Sequence, residues 1–125
     1  VVDGSDNFAT RFALNAASRA LGIPLISAAA IRFEGQLSVF DPRDAASPCY
    51  RCLYRDSAEQ AETCALNGVL PPIVGALGSL QALETIKVLT GIGRPLVGRM
   101  LVFDGLAHEW RTLRLKRDPG CPVCA

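Results

Sequence analysis

Two short stretches limit what this chain can become: "SPCYRCL" at residues 47–53 and "DPGCPVCA" at residues 118–125. Each places two cysteines two residues apart, Cys49 with Cys52 and Cys121 with Cys124. A Cys-x-x-Cys pair on a tight turn lets two thiolates reach one ion, and two such pairs complete a tetrahedral sulfur site of the kind Zn²⁺ prefers. Pro48 and the run Pro119-Gly120-Cys121-Pro122 supply turn chemistry around both pairs. The spacing within each pair is specific, whereas the long interval between them obliges the fold to bring them together. Zinc is therefore the expected ion, and a site with four protein ligands has no open position and is structural. An iron–sulfur cluster, a thioredoxin-like redox pair and unliganded thiols are the rival readings. A redox pair normally opens a helix after a strand, and neither pair is expected to do so here.

The 125 residues suffice for one domain with a real core, and residues 1–125 are expected to form one. Half are hydrophobic and 20% are charged, which argues against disorder. A net charge of +1 gives no whole-chain reason to expect a nucleic acid or an anionic membrane as partner. No uninterrupted apolar run is long enough to suggest a bilayer span. The opening "VVDGSDN" has neither an initiator Met nor a basic leader and reads as the end of a buried strand. The chain is accordingly expected to be a piece of a longer, cytoplasmic protein.

The patterning predicts an α/β fold with a mixed sheet. Residues 1–3 read as a strand end. "FATRFALNAASRALG" has helical spacing through Phe8, Phe12, Ala16 and Leu21, with Gly22 as its stop. "IPLISAAAI" reads as a buried strand, and "IRFEGQLSVFD" as two strands turning at Glu34-Gly35. Residues 41–71 read as an irregular excursion with room for a short helix. "PPIVGALGSLQALETIKVLTG" is the strongest helix, with Ile73, Leu77, Leu80, Leu83 and Ile86 on its apolar side, Pro72 in its first turn and Gly91 at its exit. Gly75 and Gly78 cost helix propensity, so they are expected to permit close backbone packing. "RMLVFDGLAHEWRTLRLKR" reads as two strands around Asp104-Gly105.

Asp6 stands just past a strand and at the mouth of a helix, where ligands of open α/β sheets bind. A carboxylate there can hold Mg²⁺ against nucleotide phosphates. The plainer reading is that Asp6 or Asn7 caps the helix. Cys64, the odd cysteine, lies in the polar stretch "AETCALNGVLPP", with no histidine near it in sequence. A spare thiol is the plain reading and a nucleophile the alternative. Asp3 reads as a strand-end residue, Arg11 as a surface ion pair, His108 as part of a hairpin, and "RTLRLKR" as a solvated strand face. No GxGxxG, Walker, HExxH or GxSxG motif occurs, so the chain carries no phosphate-binding loop of its own.

Taken in order, "DGSDNFATRFALN", "AAIRFEGQLSVFDP", "PCYRCL", "TCALNGVLPPIVGALGSLQALETIKVLTG", "VFDG" and "GCPVC" resemble the C-terminal half of the MoeB- and ThiF-type adenylyltransferases. These relatives of the ubiquitin-activating enzymes activate ubiquitin-like sulfur-carrier proteins for molybdopterin and thiamine synthesis. The resemblance implies a partial Rossmann-like domain, lacking the N-terminal nucleotide-binding half and stapled by structural zinc at Cys49, Cys52, Cys121 and Cys124. It implies that Asp6 helps to hold Mg²⁺ and ATP, and that Cys64 is a candidate for covalent sulfur chemistry. The implied partner is a sulfur-carrier protein ending in Gly-Gly, whose terminal glycine carboxylate is joined to AMP, and the implied assembly is a homodimer. Without the other half, the chain alone is expected to be inactive. "AAIRFEGQLSVF" leans toward the molybdopterin branch, and the "VFDGLAHEWRTLRLKR" and "GCPVC" segments lean toward the thiamine branch. The alternative is a zinc-stabilised module that binds a ubiquitin-like partner without catalysis.

Overall fold

A computed structural model describes residues 1–55 and 68–125. Strand β1 (Val2–Asp3) runs into helix α1 (Phe8–Leu21), followed by β2 (Leu25–Ile31), β3 (Glu34–Phe40) and the four-residue helix α2 (Tyr50–Leu53). Beyond residue 67 come helix α3 (Pro71–Thr90), β4 (Arg99–Asp104) and β5 (Glu109–Arg114). The five strands form one sheet in sequence order. β1 pairs with β2 in parallel, as a strand–helix–strand crossover requires, and the remaining pairs are antiparallel. The mixed sheet expected from the sequence is the one observed.

The pleat sorts side chains onto two faces. Ile26, Leu37, Val39 and Phe103 point to one face, where Ile73 and Leu77 of α3 close a buried core. Leu25 and Phe40 point to the other, beneath Tyr50 of α2 and the aromatic side of α1, Phe8 and Phe12. α1 stops where Gly22 takes a left-handed conformation (φ 67°) and its N–H reaches the Ser18 carbonyl. α3 ends in the same way at Gly91.

Several local expectations are corrected. The β2–β3 turn falls at Arg32-Phe33, and Glu34 and Gly35 lie inside β3, opposite Ile31 and Ala30. Gly35 is required by packing: a Cβ there would stand 2.6 Å from Leu77 Cδ2 and 2.7 Å from its Cγ. Gly75 and Gly78, by contrast, have no neighbour among the described residues outside their own helix within 4 Å of where a Cβ would stand. The close approach of α3 to the sheet is thus made at a strand glycine, not at the helix glycines. Substitution should separate the two sites. Gly35→Ala is expected to cost about 1–3 kcal/mol through overpacking, while Gly75→Ala is expected to stabilise by up to about 1 kcal/mol through helix propensity. Thermal denaturation followed by circular dichroism reads the opposite signs.

The buried side of α3 also differs from the apolar stripe expected. Leu83 and Ile86 are exposed, and Gln81 and Glu84 are buried in their stead. Both buried polar groups are satisfied, as burial demands. Gln81 Nε2 donates to the Asp3 and Ile26 carbonyls at 2.7 and 2.9 Å, tying α3 to β1 and β2. Glu84 accepts from the Leu96 N–H at 2.8 Å and from Lys87 Nζ at 2.7 Å. α3 is 20 residues long and an 18-residue stretch of it reaches a mean hydropathy of 1.2, enough by length and composition alone to cross a membrane, although its apolar residues are interrupted by polar and charged ones. Its hydrogen-bonded Gln81 and Glu84 lie against the sheet.

Candidate metal centre and the β1–α1 loop

The first cysteine pair opens a helix, and a loop rather than a strand precedes it. Cys49 is the N-cap of α2 and Cys52 sits in its first turn, where the Cys49 N–H points at Cys52 Sγ from 3.4 Å. The second pair lies on the turns that end the chain, where the Cys121 N–H bonds the Asp118 carbonyl at 3.1 Å. Two flanking contacts hold these segments together: Arg55 pairs with Asp118, and Arg117 donates to the Ala45 carbonyl at 2.7 Å.

The four sulfurs meet. All lie within 4.8 Å of one another, with Cys49–Cys121 at 3.7 Å, Cys52–Cys49 at 4.0 Å and Cys52–Cys124 at 3.3 Å. A tetrahedron with Zn–S bonds of about 2.3 Å has edges of about 3.8 Å, so the spacing fits one tetrahedral ion. Cys49, Cys121 and Cys124 are buried and Cys52 is half-buried. The first pair also sits among N–H donors suited to thiolate sulfur: the Asp118 N–H is 3.5 Å from Cys52 Sγ, and Asn15 Nδ2 is 3.6 Å from Cys49 Sγ.

Electrostatics make the metal-free cluster uneven. Burial, together with the neighbouring thiols, pushes Cys124 up to about 12. Burial also raises Cys49, against the hydrogen bond from Asn15. At Cys121 burial is outweighed by the Val123 and Cys124 N–H groups, which bring the thiol down to about 7. A cation among four sulfurs relieves this mutual repulsion and holds them as thiolates.

The second group of residues lies at the carboxyl end of β1. Asn7 is the N-cap of α1, its Oδ1 accepting the Thr10 N–H at 2.8 Å. Asp6 is exposed, and among the described residues its carboxylate meets only the Asn7 amide, at 3.4 Å. Of the two capping candidates, Asn7 caps and Asp6 does not. Asp3, only 2% exposed, accepts the Ser5 N–H at 2.8 Å through Oδ1. Arg11 makes no ion pair among the described residues. Instead it donates to the Ser5 carbonyl at 2.8 Å, lies 5.9 Å over the Phe8 ring and lowers the Tyr50 hydroxyl against the stronger upward push of burial. Asp3 Oδ2, Ser5 Oγ and Arg11 Nε are buried around this one loop without a hydrogen-bond partner among the described residues.

His108 occupies the β4–β5 turn at φ 53°, edge-on to Phe103, and β5 is exposed throughout. Cys64 lies outside the described residues. Sequence reading gave no role to Asn15, Gln81 or Glu84, yet all three are buried and hydrogen-bonded. Asn15 carried a signal: it shares a helix face with Phe8 and Phe12, where an amide is costly unless it is paired.

Comparison with known proteins decides the family. The ThiF family model matches residues 1–123. The chain belongs to the ThiF family. This ThiF-family chain is 48% identical over 124 residues to the molybdopterin-synthase adenylyltransferase of Escherichia coli K12, covering 99% of this chain and 49% of that protein. It is 50% identical over 124 residues to the sulfur carrier protein ThiS adenylyltransferase of the same organism, with the same coverage. The chain thus spans about half the length of these relatives, consistent with the resemblance to their C-terminal half. Among solved structures, that of E. coli MccB with ATP matches at a TM-score of 0.78 and 18% identity, covering 98% of this chain and 39% of that one. At that identity the likeness concerns the fold.

Proposed function

We propose that the chain is the C-terminal portion, folded as one domain, of a cytoplasmic enzyme that adenylates the terminal glycine of a ubiquitin-like sulfur-carrier protein. The pathway served would be molybdopterin or thiamine synthesis, after the adenylyltransferases that share 48% and 50% identity with it. The observation that carries this reading is Asp6, an exposed carboxylate left free of the helix cap at the carboxyl end of β1. Such a position suits a ligand for Mg²⁺ bound with ATP, and the ion supplies charge neutralisation at the phosphates. Nearby, Asp3 Oδ2, Ser5 Oγ and Arg11 Nε offer unpaired acceptors and donors that a bound molecule or its waters can satisfy.

The chemistry asks little acid–base work of these residues, because a carboxylate held in line is already a competent nucleophile for an α-phosphate. α1 places Asp6, Gln81 pins β1 and β2 beneath it, and a zinc ion on Cys49, Cys52, Cys121 and Cys124 would tie the chain end to α2. The nucleotide loop and most phosphate contacts belong to the other half of such an enzyme, so the 125 residues alone are expected to be inactive. Assembly would follow the family as a homodimer, with a Gly-Gly carrier as partner.

The test is pyrophosphate release by the complete protein with Mg-ATP and, in turn, a thiamine-type and a molybdopterin-type carrier ending in Gly-Gly. Release with one carrier establishes the activity and names the branch. Silence with both rejects it and leaves a zinc-stabilised module that binds such a partner without catalysis.

A further inference from the structure

We infer that Asn15 is the positioning residue of the metal centre, a clamp by which α1 sets the placement of Cys49 and of α2. The inference rests on the four cysteines being metal ligands. Asn15 is 1% exposed and sits in the middle of α1, on the side that faces α2. Its carboxamide makes two bonds across the interface. Oδ1 accepts the Tyr50 N–H at 2.9 Å, and Nδ2 stands 3.6 Å from Cys49 Sγ. The orientation of the amide follows from chemistry. A backbone N–H can only donate, so the oxygen must face Tyr50, and the NH₂ group is left to face the sulfur.

Each bond has a distinct consequence. Cys49 is the N-cap of a four-residue helix and has no side-chain oxygen to offer its first turn. The Asn15 oxygen supplies an acceptor to that turn from another helix, meeting the Tyr50 N–H that would otherwise be orphaned. The Nδ2–H bond reaches the sulfur of Cys49, which is fully buried and out of reach of solvent donors. A ligand sulfur so held is fixed in direction and less free to swing away from the metal. Groups that orient metal ligands in this way typically change metal affinity 10–100-fold on mutation.

Two measurements on the 125-residue chain test this without any assay of adenylation. In the unsubstituted chain loaded with cadmium-113, the Asn15 side-chain amide protons should show scalar coupling to the metal through Cys49 sulfur. In zinc-loaded variants, release to a chromophoric chelator should accelerate about 10-fold for Asn15→Leu and further for Asn15→Asp. Asp keeps the acceptor for the Tyr50 N–H but turns a second negative oxygen toward the thiolate. A residue that only capped α2 would show the reverse order, with Asp close to the unsubstituted chain. That order, release rates within twofold of the unsubstituted chain, or absence of the coupling whatever the rates, would each overturn the inference. If the variants do not fold, the cadmium spectrum of the unsubstituted chain decides alone. Failure of that chain to bind one cadmium or zinc ion would instead remove the metal centre itself.

Discussion

Stripping the metal from the four-cysteine cluster is expected to detach the chain end and lower the melting temperature by on the order of 10 °C or more. Residues 115–125 belong to no strand or helix. Their buried side chains are Cys121 and Cys124, and the cluster these enter contains only cysteines. Four thiols offer little apolar area, so hydrophobic burial cannot hold the segment by itself. Leu115, packed on the Leu25, Phe40 and Tyr50 cluster and bonded to the Gly98 carbonyl at 2.8 Å, anchors the start of the segment. Beyond it stand the Arg55–Asp118 pair and the Arg117 bond to Ala45, both surface contacts worth at most about 1 kcal/mol each. Binding of a structural zinc ion is worth several kcal/mol or more. Its loss therefore frees the tail, loosens α2 and exposes Tyr50, while the core of α3 on the sheet survives.

The measurement is a thermal melt with and without chelator, beside metal analysis and the spectrum of a cobalt-substituted sample. Cys121→Ser should behave as the stripped protein does, and its far-ultraviolet spectrum should keep the α3 signal. One zinc ion per chain and a tetrahedral thiolate cobalt spectrum are expected. Visible absorption by the protein as purified would turn the assignment to iron–sulfur. A melt unmoved by chelation would show that the cluster is not a metal site.

Asp6 and Asn7 should part company in the complete enzyme. Asp6→Ala is expected to cut pyrophosphate release by roughly 100-fold or more and to leave the melting temperature within about 1 °C. The side chain is exposed and its one hydrogen bond is the long contact to the Asn7 amide, so stability has little to lose. Its proposed work is to hold a cation whose neutralising charge is worth several kcal/mol at the reacting phosphate. Asn7→Ala removes the cap to the Thr10 N–H, costs about 1 kcal/mol of stability and should leave a larger share of the activity. Equal losses of activity in the two variants would mean that loop geometry, not the Asp6 carboxylate, matters. A destabilised but active Asp6→Ala protein would refute its placement as a metal ligand.

Much of this was readable from the residues. The Cys-x-x-Cys spacing announced a shared ion because thiolate geometry is local, and the ordered motifs announced the family over nearly the whole chain. Helix ends at Gly22 and Gly91 were legible because a left-handed stop is a property of one residue. The β4–β5 hairpin was legible as two strands, but its turn is residues 105–108, with Asp104 inside β4, and its left-handed residue is His108, not Gly105.

The errors fall where a residue's role is set by a distant neighbour. Gly35 looks like a turn, but the turn is at Arg32-Phe33, and the glycine is there because Leu77 packs on its Cα. Leu83 and Ile86 have core spacing yet face outward, since the rotation of α3 is chosen by Gln81 reaching two strand carbonyls and Glu84 reaching the Leu96 N–H. Periodicity reports that a helix is amphipathic, not which way hydrogen bonds across the sheet will turn it. Nor could spacing say that Asn7 takes the cap and leaves Asp6 free.

By itself the sequence determined the element types, the mixed α/β class, the four candidate metal ligands and the family, all of which depend on local chemistry and residue order. Only the tertiary structure decided that the four sulfurs lie a tetrahedron's edge apart, that Asn15 of α1 reaches Cys49, and that α3 buries Gln81 and Glu84 in line with Ile73 and Leu77. Those outcomes belong to pairs of residues far apart in the chain, and their energies exist only once the sheet has brought them into contact.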